Sequence, residues 1–182
     1  MAFGVDNDCF QGLDIPAFDR MLDSIQHTLI AFNNGERRGE RWVQRPLFVN
    51  VPDVVADADR TLRQWHRWQS AVRRRGFPVG YVAQNGCERG VMPPWHEFDA
   101  LFIGGDTAFK LGPDARQLVA TAKAHGKHVH MGRVNTLRRL RYAQSIGVDS
   151  VDGTGWAKWR NTHLDAGLRA LDYPQLALAV AA

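Results

Sequence analysis

Six short apolar runs punctuate the chain, and each stops at residues able to do chemistry or turn the backbone. They read FGVD at 3–6, LFVNVPD at 47–53, VGYVAQNG at 79–86, ALFIGG at 100–105, HVHMGR at 128–133 and SVDGT at 150–154. Between most of them, apolar residues recur at the three- and four-residue spacing of a helix with one buried face. Phe18, Leu22, Ile25, Leu29 and Phe32 mark one such helix, with Asp14 as N-cap and Pro16 in its first turn. Leu62, Trp65, Trp68 and Val72 mark a second, opened by Asp53 or Asp57, and its tryptophans are expected to pack in the core. A third runs from Pro113 to His125 and closes at Gly126. A fourth opens at Asn135 or Thr136, reaches Ser145 and stops at Gly147, and the chain reads helical again after Thr154 up to Tyr173-Pro174.

Strand and helix in alternation predict an α/β fold, because helical crossovers make successive strands parallel. A βα barrel and an open parallel sheet both satisfy the pattern, and both bind ligands at the carboxyl ends of their strands. Asp6, Asp53, Gln84, Gly104, Gly105, Met131 and Asp152 are therefore the candidate lining of a site. At 182 residues the chain is shorter than an eight-stranded barrel of ~250 residues. The expectation is one domain over residues 1–182: a TIM-barrel-like parallel barrel, reduced or irregular. Any further strand is sought within 41–45 or near the C-terminus.

Composition narrows the classes. Hydrophobic residues make up 45% and charged residues 23%, as in ordinary globular domains. No apolar run approaches the ~20 residues that span a bilayer, and the N-terminus lacks a secretory pattern, so a cytoplasmic protein without membrane contact is expected. Two cysteines, Cys9 and Cys87, make neither a disulfide framework nor a zinc site by themselves. His128 and His130 alternate along one strand and resemble a metal pair, but no third ligand stands nearby, so no metal is expected. No lysine occupies a predicted strand end, which argues against Schiff-base chemistry. The net charge is +4, with arginines grouped at Arg37, Arg38, Arg41 and Arg45, at Arg73 to Arg75, and at Arg138, Arg139 and Arg141. Each group alone reads as a solvated helix face; together they lean slightly towards a polyanionic partner.

Five strand-end motifs, in order, resemble those of the tRNA-guanine transglycosylase superfamily. That family's Asp-Ser-Gly-Gly-Phe/Tyr-Gln is similar to Asp6-Asn7-Asp8-Cys9-Phe10-Gln11, and its Val-Gln-Gly-Gly to Val82-Ala83-Gln84-Asn85-Gly86. Its Gly-Gly-Leu loop is similar to Gly104-Gly105-Asp106, and its Leu-Met-Gly-Val-Gly to His130-Met131-Gly132-Arg133-Val134. Its Gly-Ile/Val-Asp-x-Phe-Asp-Cys is similar to Gly147 through Gly153. The forms look most like the short 7-deazaguanine DNA transglycosylases of phages and bacterial defence islands. Two departures stand out. Asp8-Cys9 replaces the double glycine, and the three-cysteine-and-histidine zinc site of the tRNA enzymes is missing.

The resemblance implies a base exchange that replaces guanine in DNA with a 7-deazaguanine derivative. Asp152 would be the nucleophile at the anomeric carbon and Asp6 the general base for the incoming base. Asp53, Gln84 and the backbone N–H groups around Gly104 and Gly105 would read the purine edge. Phe10 and Met131 would sandwich it, and Arg133, Arg138 and Arg139 would hold the nucleic acid. No metal or organic cofactor is implied. The partners are DNA, or tRNA, and a 7-deazaguanine base; a second copy of the chain or an accessory protein remains open, as does a phage-encoded protein acting in host cytoplasm. Rival readings are a tRNA- or nucleoside-acting relative, a non-catalytic nucleic-acid-binding barrel, and an unrelated phosphate-binding barrel with Gly104-Gly105 at the phosphate. Residue by residue, blander roles compete: Asp53 or Asp6 as a helix cap, Asp149 as a structural residue, Gln84-Asn85-Gly86 as a turn, and Met131 as core.

Overall fold

Alternation of apolar residues along six parallel strands sorts the side chains into two layers. The computed structural model describes residues 4–6, 14–33, 46–158 and 165–172. The strands are β1 (Gly4–Val5), β2 (Phe48–Asn50), β3 (Val79–Ala83), β4 (Ala100–Ile103), β5 (His128–Met131) and β6 (Ser150–Val151), hydrogen-bonded in sequence order. Every pairing is parallel, with Val49 beside Val79, Phe102 beside both Val82 and His130, and His130 beside Ser150. The helices are α1 (Ile15–Asn33), α2 (Ala58–Arg74), α3 (Thr107–Leu111), α4 (Pro113–Ala124), α5 (Leu137–Ser145), α6 (Thr154–Lys158) and α7 (Asp165–Asp172). A strand order that never reverses sends crossovers of one hand, and with them the helices, to one side of the sheet. That is the barrel's winding rather than that of a doubly wound sheet.

Two separate apolar clusters mark the two faces. Val49, Tyr81, Leu101, Ile103, Val129 and Met131 pack with Trp65, Leu118, Val119 and Leu140 of the helices. Phe48, Val82, Ala100 and Phe102 form a second cluster on the opposite face. The sheet is curled around this second cluster. β2 and β5 are three strands apart, about 14 Å in a flat sheet, yet the rings of Phe48 and His130 are 5.5 Å apart. The architecture is an α/β, TIM-barrel-like parallel sheet, open between β6 and β1 among the described residues.

The predicted helix starts are observed. Asp14 accepts from Ala17 N at 3.0 Å, Asp57 from Arg60 N at 2.8 Å and Thr136 from Arg139 N at 3.3 Å. Asp57 is thus the cap of α2, which leaves Asp53 outside that role. Trp65 is buried edge-on against Tyr81, and Trp68 meets Phe18 of α1, so both tryptophans are packing residues. Arg75 ties α1 to the end of α2 through Asp23 at 2.7 Å. The 41–45 segment and the extreme C-terminus, where another strand was sought, lie outside the described residues. No helix among the described residues is long and apolar enough to cross a membrane.

Candidate active site

One residue past each of five strands, the chain places Asp6, Gln84, Gly104, Gly132 and Asp152. They share the parity of the inner face, so they converge at its carboxyl-end mouth. With Asp53, Val55, Val82, Phe102, Lys110 and Arg133 they line one open cleft of about 540 Å³, counting its solvent-filled mouth. β1 and β6 would be about 24 Å apart in a flat sheet; curvature brings Asp6 and Asp152 to the same cleft.

Asp152 is held at both carboxylate oxygens. Oδ1 accepts from the Arg133 backbone N–H at 2.8 Å and Oδ2 pairs with His130 Nε2 at 3.0 Å. Burial by itself would raise this carboxyl, but the His130 and Arg133 hydrogen bonds and the charge of Lys110 outweigh it and hold it below the ordinary value. The side chain nevertheless remains 47% exposed and reachable from the cleft. Arg133 makes its N–H available through a left-handed backbone, φ 58°, which is strained for a residue with a Cβ. Across the cleft, Asp6 Oδ1 accepts from Asn50 Nδ2 at 3.3 Å. Asn50 itself is buried, with an Oδ1 that finds no donor. The Asn50 amide is thus turned to give its N–H to Asp6.

Gln84 works as a brace. Its Nε2 donates to Asp53 Oδ2 at 2.6 Å, while its Oε1 accepts from Ala56 N at 2.7 Å and Gly105 N at 2.8 Å. Gly104 N donates to Ala83 O at 2.9 Å. These bonds correct two expectations: the N–H groups of Gly104 and Gly105, and the Gln84 carbonyl, are spent within the protein rather than offered to a ligand. The glycines are still required. A Cβ on Gly104 would lie 2.6 Å from Gln84 Nε2, and Gly105 adopts φ 75°. What approaches the backbone closely at Gly104 is Gln84 itself. Asn85 and Asp106 exchange hydrogen bonds beside them, so the residues 84–86 segment is a braced strand end as well as a turn.

Met131 is a second correction. It follows His130 on β5, so its side chain points to the helix-facing side, is 1% exposed and belongs to the main core. Its chain neighbours that face the cleft side are His130 and Gly132, and Met131 itself does not line the main cleft. Phe10 lies outside the described residues. Arg133 does line the cleft, and its Nη2 donates to Gly105 O at 3.1 Å. Arg139 borders a small crevice beside Lys110, while Arg138 faces a separate hollow with Trp156. Asp149 is structural, accepting from Val129 N at 2.8 Å.

No family model matches this chain, and no curated protein matches it. Among solved structures, the comparison finds a phospho-2-dehydro-3-deoxyheptonate aldolase (DAHP synthase) from Thermotoga maritima. It is 14% identical, with a TM-score of 0.44, covering 82% of this chain and 40% of that one. The chain thus spans well under half of that enzyme's length, and the likeness is too slight to bear on chemistry. The site has to be read from its own atoms.

Three residues here escaped the sequence. Asn50 breaks the apolar run LFVNV, a signal that was available. His130 stood out only as half of a metal pair; it and His128 do point the same way, but Ser150 Oγ sits between them at 2.8 Å from each. Lys110 left no signal. It comes from α3, a five-residue helix the pattern did not show, and runs buried to Gly132 O at 3.0 Å. Burial, then Arg133 and Arg139, push its pKa down to about 8 against the pull of Asp152 and Asp106. The expectation that lysine is missing from strand ends holds for the strands, yet a lysine lines the cleft.

Proposed function

We propose that this chain is a base-exchange glycosyltransferase that replaces guanine in DNA with a 7-deazaguanine derivative. The observation that carries the reading is the convergence of Asp6 and Asp152, from the two ends of the sheet, on one cleft at its carboxyl-end mouth. Asp152 attacks C1′ of the target nucleotide as the bond to guanine N9 breaks with its electron pair, giving a covalent aspartyl sugar. Both of its oxygens keep lone pairs after accepting one hydrogen bond each. The departing guanine takes up one proton from solvent. The incoming 7-deazaguanine gives its N9 proton to Asp6 and attacks C1′, releasing Asp152, and Asp6 returns that proton to solvent, so the exchange is balanced in protons and charge. Retention of the sugar's configuration follows from two displacements, by analogy with retaining sugar hydrolases.

Asp53, fixed by Gln84, accepts from the ring N–H and exocyclic amine of the base. Lys110 and Arg133 put positive charge beside the cleft, where a nucleotide flipped from the stack brings its phosphates. The test incubates the protein with labelled guanine and, separately, DNA and tRNA. Label entering DNA, and none entering with Asp152→Asn, is the expected result. Label in tRNA alone would move the substrate to RNA. Nucleic acid bound by wild type with no exchange on either substrate would leave a binding barrel and sink the proposal.

A further inference from the structure

The inner face holds a chain of polar groups that exchange chemistry does not by itself require. Asp152 Oδ2 meets His130 Nε2 at 3.0 Å, His130 Nδ1 meets Ser150 Oγ at 2.8 Å, and Ser150 Oγ meets His128 Nε2 at 2.8 Å. His130 is buried, its ring stacked on Phe102 with centroids 4.7 Å apart and flanked by Phe48 at 5.5 Å. The ring therefore has one orientation.

With a neutral His130 ring, proton bookkeeping sets the direction of every bond. An ionised carboxylate only accepts, so the proton of neutral His130 is on Nε2 and points at Asp152. Nδ1 is then an acceptor, which calls for the Ser150 hydroxyl proton. The Ser150 oxygen, having given its proton, accepts from His128 Nε2–H. All three donors point towards Asp152, and such a series polarises each member in the same sense. Burial pushes the His128 pKa down against the pull of Asp149, which disfavours a charge at the far end of the chain.

We propose that His130 is a positioning residue that, fed from His128 through Ser150, clamps Asp152 Oδ2 and holds this carboxylate ionised and aimed into the cleft. The proposal deepens the exchange reading and rests on it for the reaction, but not for the state of the carboxylate. The charged and titratable groups around Asp152 are Lys110 from α3, Arg133 from the loop after β5, His130 from β5, and Asp6 across the cleft. Lys110 and the Arg133 N–H favour ionisation as His130 does, so the clamp is isolated only by changing His130 and leaving both in place.

Two isosteric substitutions separate its bonds. In His130→Gln the amide nitrogen falls near the position of Nε2 and keeps the donor to Asp152. In His130→Asn the shorter amide reaches only the Ser150 side, where its carbonyl oxygen accepts the hydroxyl proton, and the donor to Asp152 is lost. The Asp152 carboxyl is titrated by carbon NMR in the free protein, assigned by its loss in Asp152→Asn, and exchange is followed as kcat and KM across pH. The expected result is an Asp152 titration moved upward in His130→Asn and restored towards wild type in His130→Gln. Alongside it, kcat falls about 100-fold in the Asn variant, the scale of a reacting group misplaced by 1 Å, with KM little changed and the acid limb at higher pH. Ser150→Ala, which breaks the chain while sparing the buried ring, moves the titration the same way by less. An Asp152 titration unmoved in both His130→Asn and Ser150→Ala overturns the clamp. A titration that moves as expected in a protein that exchanges no base leaves the clamp standing and removes the exchange reading instead.

Discussion

Lys110 is a buried cation whose burden on the fold can be measured. Its side chain is 5% exposed, its one hydrogen-bond acceptor found is Gly132 O, and burial with two neighbouring arginines lowers its pKa from 10.5 to about 8. A gap of about 2.5 pH units, at 1.36 kcal/mol each, corresponds to about 3 kcal/mol of destabilisation while the amine is charged in both folded and unfolded chains. The sign follows from proton counts. Below pH 8 both states are protonated and the whole penalty is present. Between about pH 8 and 10.5 the unfolded chain binds more protons at this site, so stability rises with pH until the penalty is gone. Lys110→Met keeps the apolar stem, removes the charge and gives up the Gly132 bond, worth about 1 kcal/mol. The variant should therefore be more stable than wild type at pH 7 by about 2 kcal/mol, and the advantage should vanish by about pH 10.5. Denaturant unfolding of both proteins at intervals from pH 6 to 10.5 measures it. The difference between them is the quantity to read, because Cys87, raised by burial, titrates through the same range with the opposite sign. A variant less stable than wild type at pH 7, or a difference that stays flat with pH, would refute the reasoning. Retention of so unfavourable a charge at a cleft fits a role with an anionic ligand, and stability traded for a site is a common exchange.

Other outcomes follow from the same contacts. Gly104→Ala drives a Cβ to 2.6 Å from Gln84 Nε2 and should cost about 1–3 kcal/mol by unseating a buried amide, read as a lower unfolding midpoint. Asp152→Asn should change pH dependence rather than only rate: the depressed carboxyl contributes stability above its unfolded pKa that is lost as pH falls through the folded one, so acid unfolding curves of wild type and variant should converge at low pH. Asn50→Leu removes the donor to Asp6 together with the orphaned Oδ1. Unfolding should show little loss of stability while base exchange slows, and unchanged exchange would dismiss Asn50 as a positioning residue. Arg133→Gly relieves a left-handed residue, worth about 1 kcal/mol, but loses the bond to Gly105 O. The expected sum is a near-neutral unfolding free energy with weaker DNA binding by titration.

The chain's own pattern determined a great deal. All six strands, four helix bodies and the cap Asp14 were legible, and the caps Asp57 and Thr136 were each one of two candidates, because period-two and period-3.6 hydrophobicity and capping chemistry are local properties. The residues that end the apolar runs also marked the carboxyl ends of the strands, where the cleft opens. What a linear pattern cannot carry is which partner a polar atom takes. Gln84 and Gly105 were read as facing a ligand and instead satisfy each other across two strands. Met131 was read as lining the cleft, and parity turned it to the core. Lys110 reaches the cleft through burial from a helix too short to announce itself, and His130 meets Asp152 because the parallel pairing sets it beside Ser150, two residues before Asp152 on the same face. Local periodicity fixes the elements and their faces; the curvature of the sheet and the competition among buried polar groups decide which carboxylates meet, and what holds them.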